Sequence, residues 1–240
     1  MIIGILATGI TPDELIDQHG SYAEMLMRLF DHAQHQFDYE LFDVRDGIFP
    51  QDAVQCDGWI ITGSKFNVDD NYDWIIKLKQ LIVEIDAVGN PIVGICFGHQ
   101  IIAEAFGGRA KAFEGGWGVG LHRYNIVGAP RFIADASESF TISAMHRYQV
   151  TEKPENASVF ATSDFCEYAG LIYGNNILTL QAHPEFNLQY EEALVNMRKG
   201  ITIPEDTADA ALATLYQDGA ATDSVAVAHW LADFLTRKPV

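Results

Sequence analysis

A cysteine at position 96 lies between a run typical of a buried strand and a pattern typical of a helix. The strand-like run is Pro-Ile-Val-Gly-Ile at 91–95, and the helical pattern is Gln-Ile-Ile-Ala-Glu-Ala-Phe at 100–106. Gly94 and Gly98 stand two residues to either side, where a tight strand-to-helix turn leaves no room for a Cβ atom. This stretch therefore requires a sheet covered by helices, with Cys96 on a sharp turn at the edge of that sheet.

The predicted position of Cys96 suits a nucleophile. The N-terminus of a helix favours negative charge, so a thiolate is stabilised there. The alternative is that Cys96 is a small buried core residue, as free cysteines often are. That alternative leaves the two flanking glycines unexplained, and we therefore favour a nucleophile.

The alternation of strand and helix patterns predicts an α/β fold. Before residue 108 it indicates an open, mainly parallel sheet with helices on both faces. Short strand-like runs after residue 108 predict an antiparallel extension of the sheet. The predicted strands are 2–7, 38–44, 58–62 and 91–95, then runs near 140–145, 157–162, 167–173 and 176–181; the predicted helices are 21–34, 72–88, 188–199, 205–217 and 222–237.

Length and composition fit one domain over residues 1–240, with the C-terminal helices at about 188–237 packed on it. Of the 240 residues, 48% are hydrophobic, which is enough for one sizeable core. The formal charge of −18 repels phosphate backbones and anionic membrane surfaces, so we expect neither nucleic acid nor membrane as a partner. The oligomeric state stays open.

The cysteines and the N-terminus indicate a reducing, cytoplasmic location. The three cysteines at 56, 96 and 166 show no metal-ligand spacing and no even disulfide set, so we expect no cofactor and no metal. The N-terminal run predicts a buried first strand rather than a signal peptide. The acidic residues Asp69, Asp70 and Asp73 allow two interpretations, a metal site or the N-cap and first turn of the next helix, and we favour the helix start.

Three polar segments follow strands that should end at one edge of the sheet. They are Gly63-Ser64, Cys96 and His183-Pro184-Glu185. Ligands of open α/β sheets bind beyond the carboxyl ends of the strands, so we expect these segments to meet.

These segments contain the groups that cysteine attack on an amide requires. Cys96 would be the nucleophile, His183 the base and Glu185 the group that orients the base. The backbone N–H groups of Phe97 and Ser64 would stabilise the oxyanion, with Gly63 allowing the facing loop to bend inward. His122 and His146 lack an acid two residues later, and His99 is expected to pack or to support the site.

Together, Gly-Ile-Cys-Phe-Gly-His-Gln at 94–100 and His-Pro-Glu at 183–185 resemble the class I, triad-type glutamine amidotransferases. The resemblance extends from the first strand to about residue 190 and is greatest to free-standing, GMP-synthetase-like members. It implies a flavodoxin-like sheet and hydrolysis of a γ-glutamyl amide through a γ-glutamyl thioester on Cys96. It also implies a small-molecule substrate, glutamine or another γ-glutamyl compound, and a possible synthetase or acceptor protein as partner.

The resemblance assigns substrate-binding positions less firmly than the triad. It suggests that Gln100 helps to shape the glutamine pocket, next to Gly98. Separately, the glycine-rich segment Glu-Gly-Gly-Trp-Gly at 114–118 indicates a loop in which Trp117 either lines the substrate mouth or only packs. Residues 146–150 read His-Arg-Tyr-Gln-Val, where family members often carry His-x-Asp-Glu-Val. The acidic pair is absent, and with it any substrate or partner contact that it makes.

Several functions remain open from the sequence alone. A glutaminase and a γ-glutamyl peptide hydrolase that acts alone share the same acyl-enzyme step, so the triad does not separate them. A redox or chaperone-like protein with an elbow cysteine, or a non-catalytic regulatory protein, would not need His183 and Glu185. We therefore favour hydrolysis of a γ-glutamyl amide.

Overall fold

The computed structural model describes residues 1–128, 133 and 138–237. The strands are β1 (Ile2–Ala7), β2 (Asp38–Asp43), β3 (Gly58–Ile61), β4 (Ile92–Ile95), β5 (Arg109–Ala112), β6 (Gly118–Ile126), β7 (Ser139–His146), β8 (Tyr148–Glu152), β9 (Ala157–Thr162), β10 (Gly170–Tyr173) and β11 (Ile177–Leu180). The helices are α1 (Asp13–His19), α2 (Tyr22–His32), α3 (Asp73–Val88), α4 (Phe97–Ala105), α5 (Leu188–Arg198), α6 (Glu205–Leu215) and α7 (Ser224–Leu235), with a 3₁₀ turn at Val44–Asp46.

The described residues form one large mixed sheet with the strand order β2-β1-β3-β4-β11-β10-β9-β6-β7. Neighbouring strands from β2 to β11 pair in parallel, and those from β11 to β7 pair antiparallel. Strands β5 and β8 form a separate antiparallel pair. The predicted parallel sheet with an antiparallel extension is confirmed, and the predicted elements lie within three residues of their observed ends.

The central parallel strands are apolar because both of their faces are covered. Every residue of β3, β4 and β11 is buried, as expected for strands between two helical layers. On one face, Phe30 of α2 and Trp230 of α7 belong to the core cluster, and on the other face Ile82 of α3 and Ile101 of α4 do so. The apolar face of α7 therefore packs on the body of the protein.

The strand β6 was outside the predicted strands because its glycines suggest a loop. A Cβ atom on Gly118 would lie 2.7 Å from the ring of Phe165, and one on Gly120 would lie 2.9 Å from the carbonyl oxygen of Ala211. Glycine therefore permits close packing along this strand. Helix α1 was also not predicted, because in its seven residues only Leu15 and His19 are buried and no apolar period develops.

The acidic segment before α3 agrees with the prediction in its first turn but not at its N-cap. Asp73 begins the first turn of the helix, whereas the N-cap is Tyr72, which makes no capping side-chain bond. The carboxylate of Asp70 instead accepts a bond from the backbone N–H of Asn67, at 2.9 Å. Within the described ranges, no group of three or more His, Cys, Asp and Glu side chains could hold a metal ion.

Among residues 1–128, 133 and 138–237, no helix is long and apolar enough to cross a bilayer.

Two buried histidines make the fold sensitive to acid. Burial lowers the pKa of His99 to about 3, and burial with repulsion from His122 lowers the pKa of His146 to about 3. Both rings are therefore neutral in the folded protein near pH 7. In the unfolded chain they gain protons near pH 6.5. The unfolded state then binds more protons, so stability falls as pH drops below about 6.5.

We expect His99→Gln to weaken the acid dependence of stability. The wild-type His99 ring should reduce the free energy of unfolding by about 2 kcal/mol on going from neutral pH to pH 5. Between pH 7.5 and pH 5, urea unfolding should show that the free energy of unfolding falls by about 2 kcal/mol less in the variant than in the wild type. His32→Gln, at an exposed position on α2, should keep the wild-type loss. An equal fall of the free energy of unfolding in His99→Gln and wild type would show that the pKa of His99 is not lowered by burial.

Candidate active site

Cys96 lies on the sharp turn between β4 and α4 that the sequence predicts. Its φ of 53° and ψ of −100° place a non-glycine residue in a strained region of backbone space. A Cβ atom on Gly94 would lie 2.8 Å from the backbone of Gly98, and one on Gly98 would lie 2.4 Å from the carbonyl oxygen of Ile61. The turn therefore requires both glycines, and it presents the Cys96 sulfur at the first turn of α4.

His183 reaches Cys96 from the end of the neighbouring strand. The backbone N–H of His183 donates to the carbonyl of Ser143 at 2.8 Å, and its ring stacks on Phe186 with centroids 4.0 Å apart. Nδ1 lies 2.7 Å from Oε1 of Glu185, and the Cys96 sulfur is close enough to act on the charge of the ring. The three side chains predicted to act together are therefore buried beside one another.

The electrostatics of these three side chains favour a charged imidazole. Burial alone would lower the pKa of His183, but the Glu185 carboxylate and the Cys96 sulfur outweigh burial and raise the pKa of His183 well above its usual value. The Cys96 sulfur therefore lies beside a positive charge.

The loop after β3 faces Cys96 and is held by hydroxyl groups. A Cβ atom on Gly63 would lie 2.6 Å from Cε1 of His183 and 3.6 Å from Cβ of Cys96. The carbonyl oxygen of Gly63 lies within hydrogen-bond distance of the hydroxyls of Thr8 and Thr62, at 3.1 and 3.2 Å. Because the peptide is trans, the N–H of Ser64 points away from these hydroxyls.

The amide groups of Ser64 and Phe97 are available to a ligand. Neither N–H donates to another group in the described part of the chain. The Ser64 hydroxyl instead donates to the carbonyl of Thr8 at 2.5 Å, so this side chain fixes the loop. Phe97 is the first residue of α4, where an N–H has no partner within the helix.

Two glutamines flank the sulfur. Nε2 of Gln181 donates to Sγ of Cys96 at 3.7 Å, and Nε2 of Gln100 donates to the carbonyl of Tyr148 at 2.7 Å and to Oε1 of Gln181 at 3.1 Å. Gln181 was missed because a polar residue in a strand-like run has no distinctive spacing. Its place two residues before His183 was the available signal.

A cavity of about 310 Å³ opens in front of Cys96. Of the residues predicted for this site, Ser64, Gln100 and Trp117 line it. Gly98 packs against Ile61 and is not among the lining residues. Sequence reasoning missed two cationic side chains and five other lining residues, because they come from elements that are distant in sequence; these are Lys65 and Arg198, with Phe66, Asn67, Met145, Tyr148 and Thr202. Arg147, in the segment that departs from the family pattern, also lines the cavity.

The other predicted histidines and cysteines lie outside the triad. His99 Nδ1 lies 2.8 Å from the hydroxyl of Thr179, and Nδ1 of His146 lies 3.2 Å from the carbonyl of Tyr148, although His146 also lines the cavity. Cys56 and Cys166 are buried and free. Their positions agree with a structural role.

Comparison with known proteins identifies a family and a set of relatives. Residues 14–199 match the model of the glutamine amidotransferase class-I family. Gamma-glutamyl peptidase 2 of Arabidopsis thaliana is 35% identical over 184 residues, covering 74% of this chain and 73% of the relative. A component of the glutamine-hydrolyzing GMP synthase of Methanopyrus kandleri is 28% identical over 185 residues, covering 71% of this chain and 87% of the relative.

A solved structure supports the same fold. The glutamine amidotransferase of Thermotoga maritima superimposes with a TM-score of 0.73 at 18% identity, covering 98% of this chain and 99% of the other. At this identity the likeness shows the fold alone.

We expect Gly63→Ala to weaken the contact between Cys96 and His183. The added methyl group would lie 2.6 Å from Cε1 of His183, so the ring must move away from the sulfur. Alkylation of Cys96 by iodoacetamide at pH 6.5, followed by mass spectrometry, should slow about 10-fold because the thiolate loses its partner.

Thr151→Ala is the control, because this exposed hydroxyl bonds the carbonyl of Arg109 and does not line the cavity. It should alkylate at the wild-type rate. Unchanged alkylation in Gly63→Ala would mean that His183 does not activate the sulfur.

Proposed function

Because the chain belongs to the glutamine amidotransferase class-I family, its reaction is cysteine-dependent hydrolysis of a γ-glutamyl amide, and we propose that Cys96, His183 and Glu185 carry it out. The observation that carries the assignment is the burial of Cys96, His183 and Glu185 beside one another, with the His183 ring bonded to Glu185. We further propose that the substrate is a small γ-glutamyl peptide and that the chain acts without a synthetase.

In the first half-reaction, the Cys96 thiolate attacks the γ-carbonyl carbon of the substrate. The developing oxyanion accepts hydrogen bonds from the N–H groups of Ser64 and Phe97. His183 then donates its proton to the leaving nitrogen, the C–N bond breaks, and the amine departs. A γ-glutamyl thioester remains on Cys96.

In the second half-reaction, water replaces the amine. His183, now neutral, takes a proton from the water as it attacks the thioester carbon. The same two N–H groups stabilise the second oxyanion. The C–S bond breaks, glutamate leaves, and the Cys96 thiolate and His183 imidazolium are restored.

Glu185 acts through His183. Its Oε1 fixes the ring by the bond to Nδ1, which leaves Nε2 to face the sulfur and the leaving nitrogen. Its negative charge also stabilises the imidazolium between the two half-reactions. Glu185 is therefore a positioning residue.

Two observations support a peptide substrate and independent action. The hydroxyls of Thr8 and Thr62 hold the loop of Gly63 and Ser64 within this one chain, so the oxyanion site needs no partner to form. Relatives that are 35% and 33% identical are named gamma-glutamyl peptidases.

A second candidate function is delivery of ammonia from glutamine to a synthetase partner. It is favoured by the similarity to components of glutamine-hydrolyzing GMP synthases. The first half-reaction would be the same, and only the leaving amine would differ. Release of ammonia from glutamine that rises on addition of a synthetase would support this second function.

Cys96→Ala should abolish hydrolysis of γ-glutamyl-alanine, because no nucleophile remains. The expected loss is at least about 10³-fold, measured as glutamate release by the purified protein. Cys166→Ala is the matched control, since burial raises the pKa of the Cys166 thiol to about 12 and keeps it unreactive. Wild-type rates in Cys96→Ala, or an equal loss in both variants, would contradict the assignment.

Glu185→Gln should lower kcat about 10²-fold with little change in KM, because the amide holds the ring but supplies no charge. The thermal midpoint should remain near that of the wild type. A wild-type kcat would show that Glu185 has no part in the reaction.

A further inference from the structure

The cavity in front of Cys96 has a charge opposite to that of the whole protein. The chain contains 33 Asp and Glu against 15 Lys and Arg. The cavity is nevertheless lined by Lys65, Arg147 and Arg198 and, among the described residues, by no acidic side chain. Cations gathered in a cleft raise the local concentration of anions and strengthen their binding. The cavity is therefore built to hold negative charge.

The cations enter the cavity from two walls. Arg147 precedes Tyr148, whose carbonyl accepts the amide of Gln100, so this arginine lies on the Gln100 wall. Arg198 ends α5 and its charge acts on Tyr22 and Tyr190.

The second wall is on the side of His183, whose own ring is not among the lining residues. The ring of Tyr22 lies 6.4 Å from that of His183. Trp117 and Met145 pack in the same apolar cluster as Tyr22 and Tyr190, and both line the cavity. Arg198 is therefore the cation of the His183 wall, next to an apolar surface.

The proposed reaction, on which this inference rests, places a different part of the substrate along each wall. His183 must reach the leaving nitrogen to deliver its proton. The leaving group therefore extends along the His183 wall, and the γ-glutamyl group occupies the side of Gln100. A charge on the leaving group would meet Arg198.

The charge of Arg198 is not neutralised by the protein. Among residues 1–128, 133 and 138–237, no carboxylate lies within 4 Å of it. The next residue, Lys199, forms an ion pair with Asp209. Burial raises the pKa of Glu191 to about 8, so this nearby carboxyl is mostly neutral at pH 7. Arg198 thus keeps a full charge for a ligand.

The backbone at Arg198 is also fixed. Its carbonyl accepts the N–H groups of Ile201, Thr202 and Ile203, at 3.1, 3.0 and 3.1 Å. A guanidinium on a fixed backbone can form two parallel hydrogen bonds with one carboxylate. The side chain is therefore suited to recognise a planar anion.

We propose that Arg198 binds the carboxylate of the leaving amino acid, so that the enzyme selects γ-glutamyl peptides with a free α-carboxylate in the leaving part. The leaving side chain packs on Trp117 and Met145. Glutamine releases ammonia, which has no carboxylate, and so it gains nothing from Arg198. The same residue thus separates a peptide substrate from glutamine.

The test compares γ-glutamyl-alanine with γ-glutamyl-alaninamide and glutamine. For the wild type we expect kcat/KM to be about 10-fold or more higher for the free acid than for the amide. Arg198→Gln should reduce hydrolysis of the acid to the level of the amide and change the other two substrates less than about 2-fold. Arg198→Lys should keep part of the preference, since it retains the charge without the planar fork.

Lys199→Gln is the matched control, because it removes one positive charge at the adjacent position outside the cavity. It should keep the wild-type preference. The proposal would be overturned if the wild type hydrolysed γ-glutamyl-alanine and its amide at equal rates. It would also be overturned if Arg198→Gln reduced hydrolysis of glutamine as much as that of the acid. A third contrary result would be loss of the preference for the acid in Arg147→Gln but not in Arg198→Gln.

Binding to the Cys96→Ala protein separates this proposal from the proposed function. Calorimetry should show tighter binding of γ-glutamyl-alanine than of its amide, and Arg198→Gln in the same background should remove the difference. If the wild type hydrolyses none of these compounds, the proposed function fails, while the binding comparison still decides the role of Arg198. Equal binding of acid and amide would overturn that role.

Discussion

The site depends on a steric constraint at one strand-to-helix turn. The backbone of Cys96 is forced to a positive φ, and the residues two before and two after it must lack a Cβ atom. With glycine at 98, α4 packs directly against the carbonyl of Ile61 at the end of β3. This contact sets the distance between the sulfur and the loop that follows β3, so Cys96 and the loop of Gly63 and Ser64 are positioned together.

Three histidines near the site are buried, and the groups beside each ring decide whether its pKa is lowered or raised. His99 and His146 are buried near a hydroxyl and a carbonyl, and burial lowers the pKa of each to about 3. His183 is equally buried, but Glu185 and Cys96 raise its pKa well above the usual value. Neutral rings fill the core around the site, and a charged ring is next to the sulfur.

The parallel part of the sheet and the meeting of Cys96, His183 and Glu185 could be predicted because each leaves a local pattern. Apolar runs between helical periods indicate buried strands, and the cysteine with two glycines indicates the turn. The strand β6 could not be predicted in this way, because its glycines serve contacts with Phe165 and α6 that are distant in sequence. Arg198 and Gln181 were missed for the same reason: their importance comes only from what the fold places beside them.

The two threonines that hold the loop of Gly63 connect the active site to the beginning of the chain. Thr8 follows β1, whereas His183 follows β11, so the site joins segments that are synthesised far apart in time. Contacts of such long sequence separation form late in folding. A growing chain that still lacks β11 contains Cys96 but no imidazole of His183 beside it. The pair of Cys96 and His183 therefore forms only after the last strand of the sheet has been made.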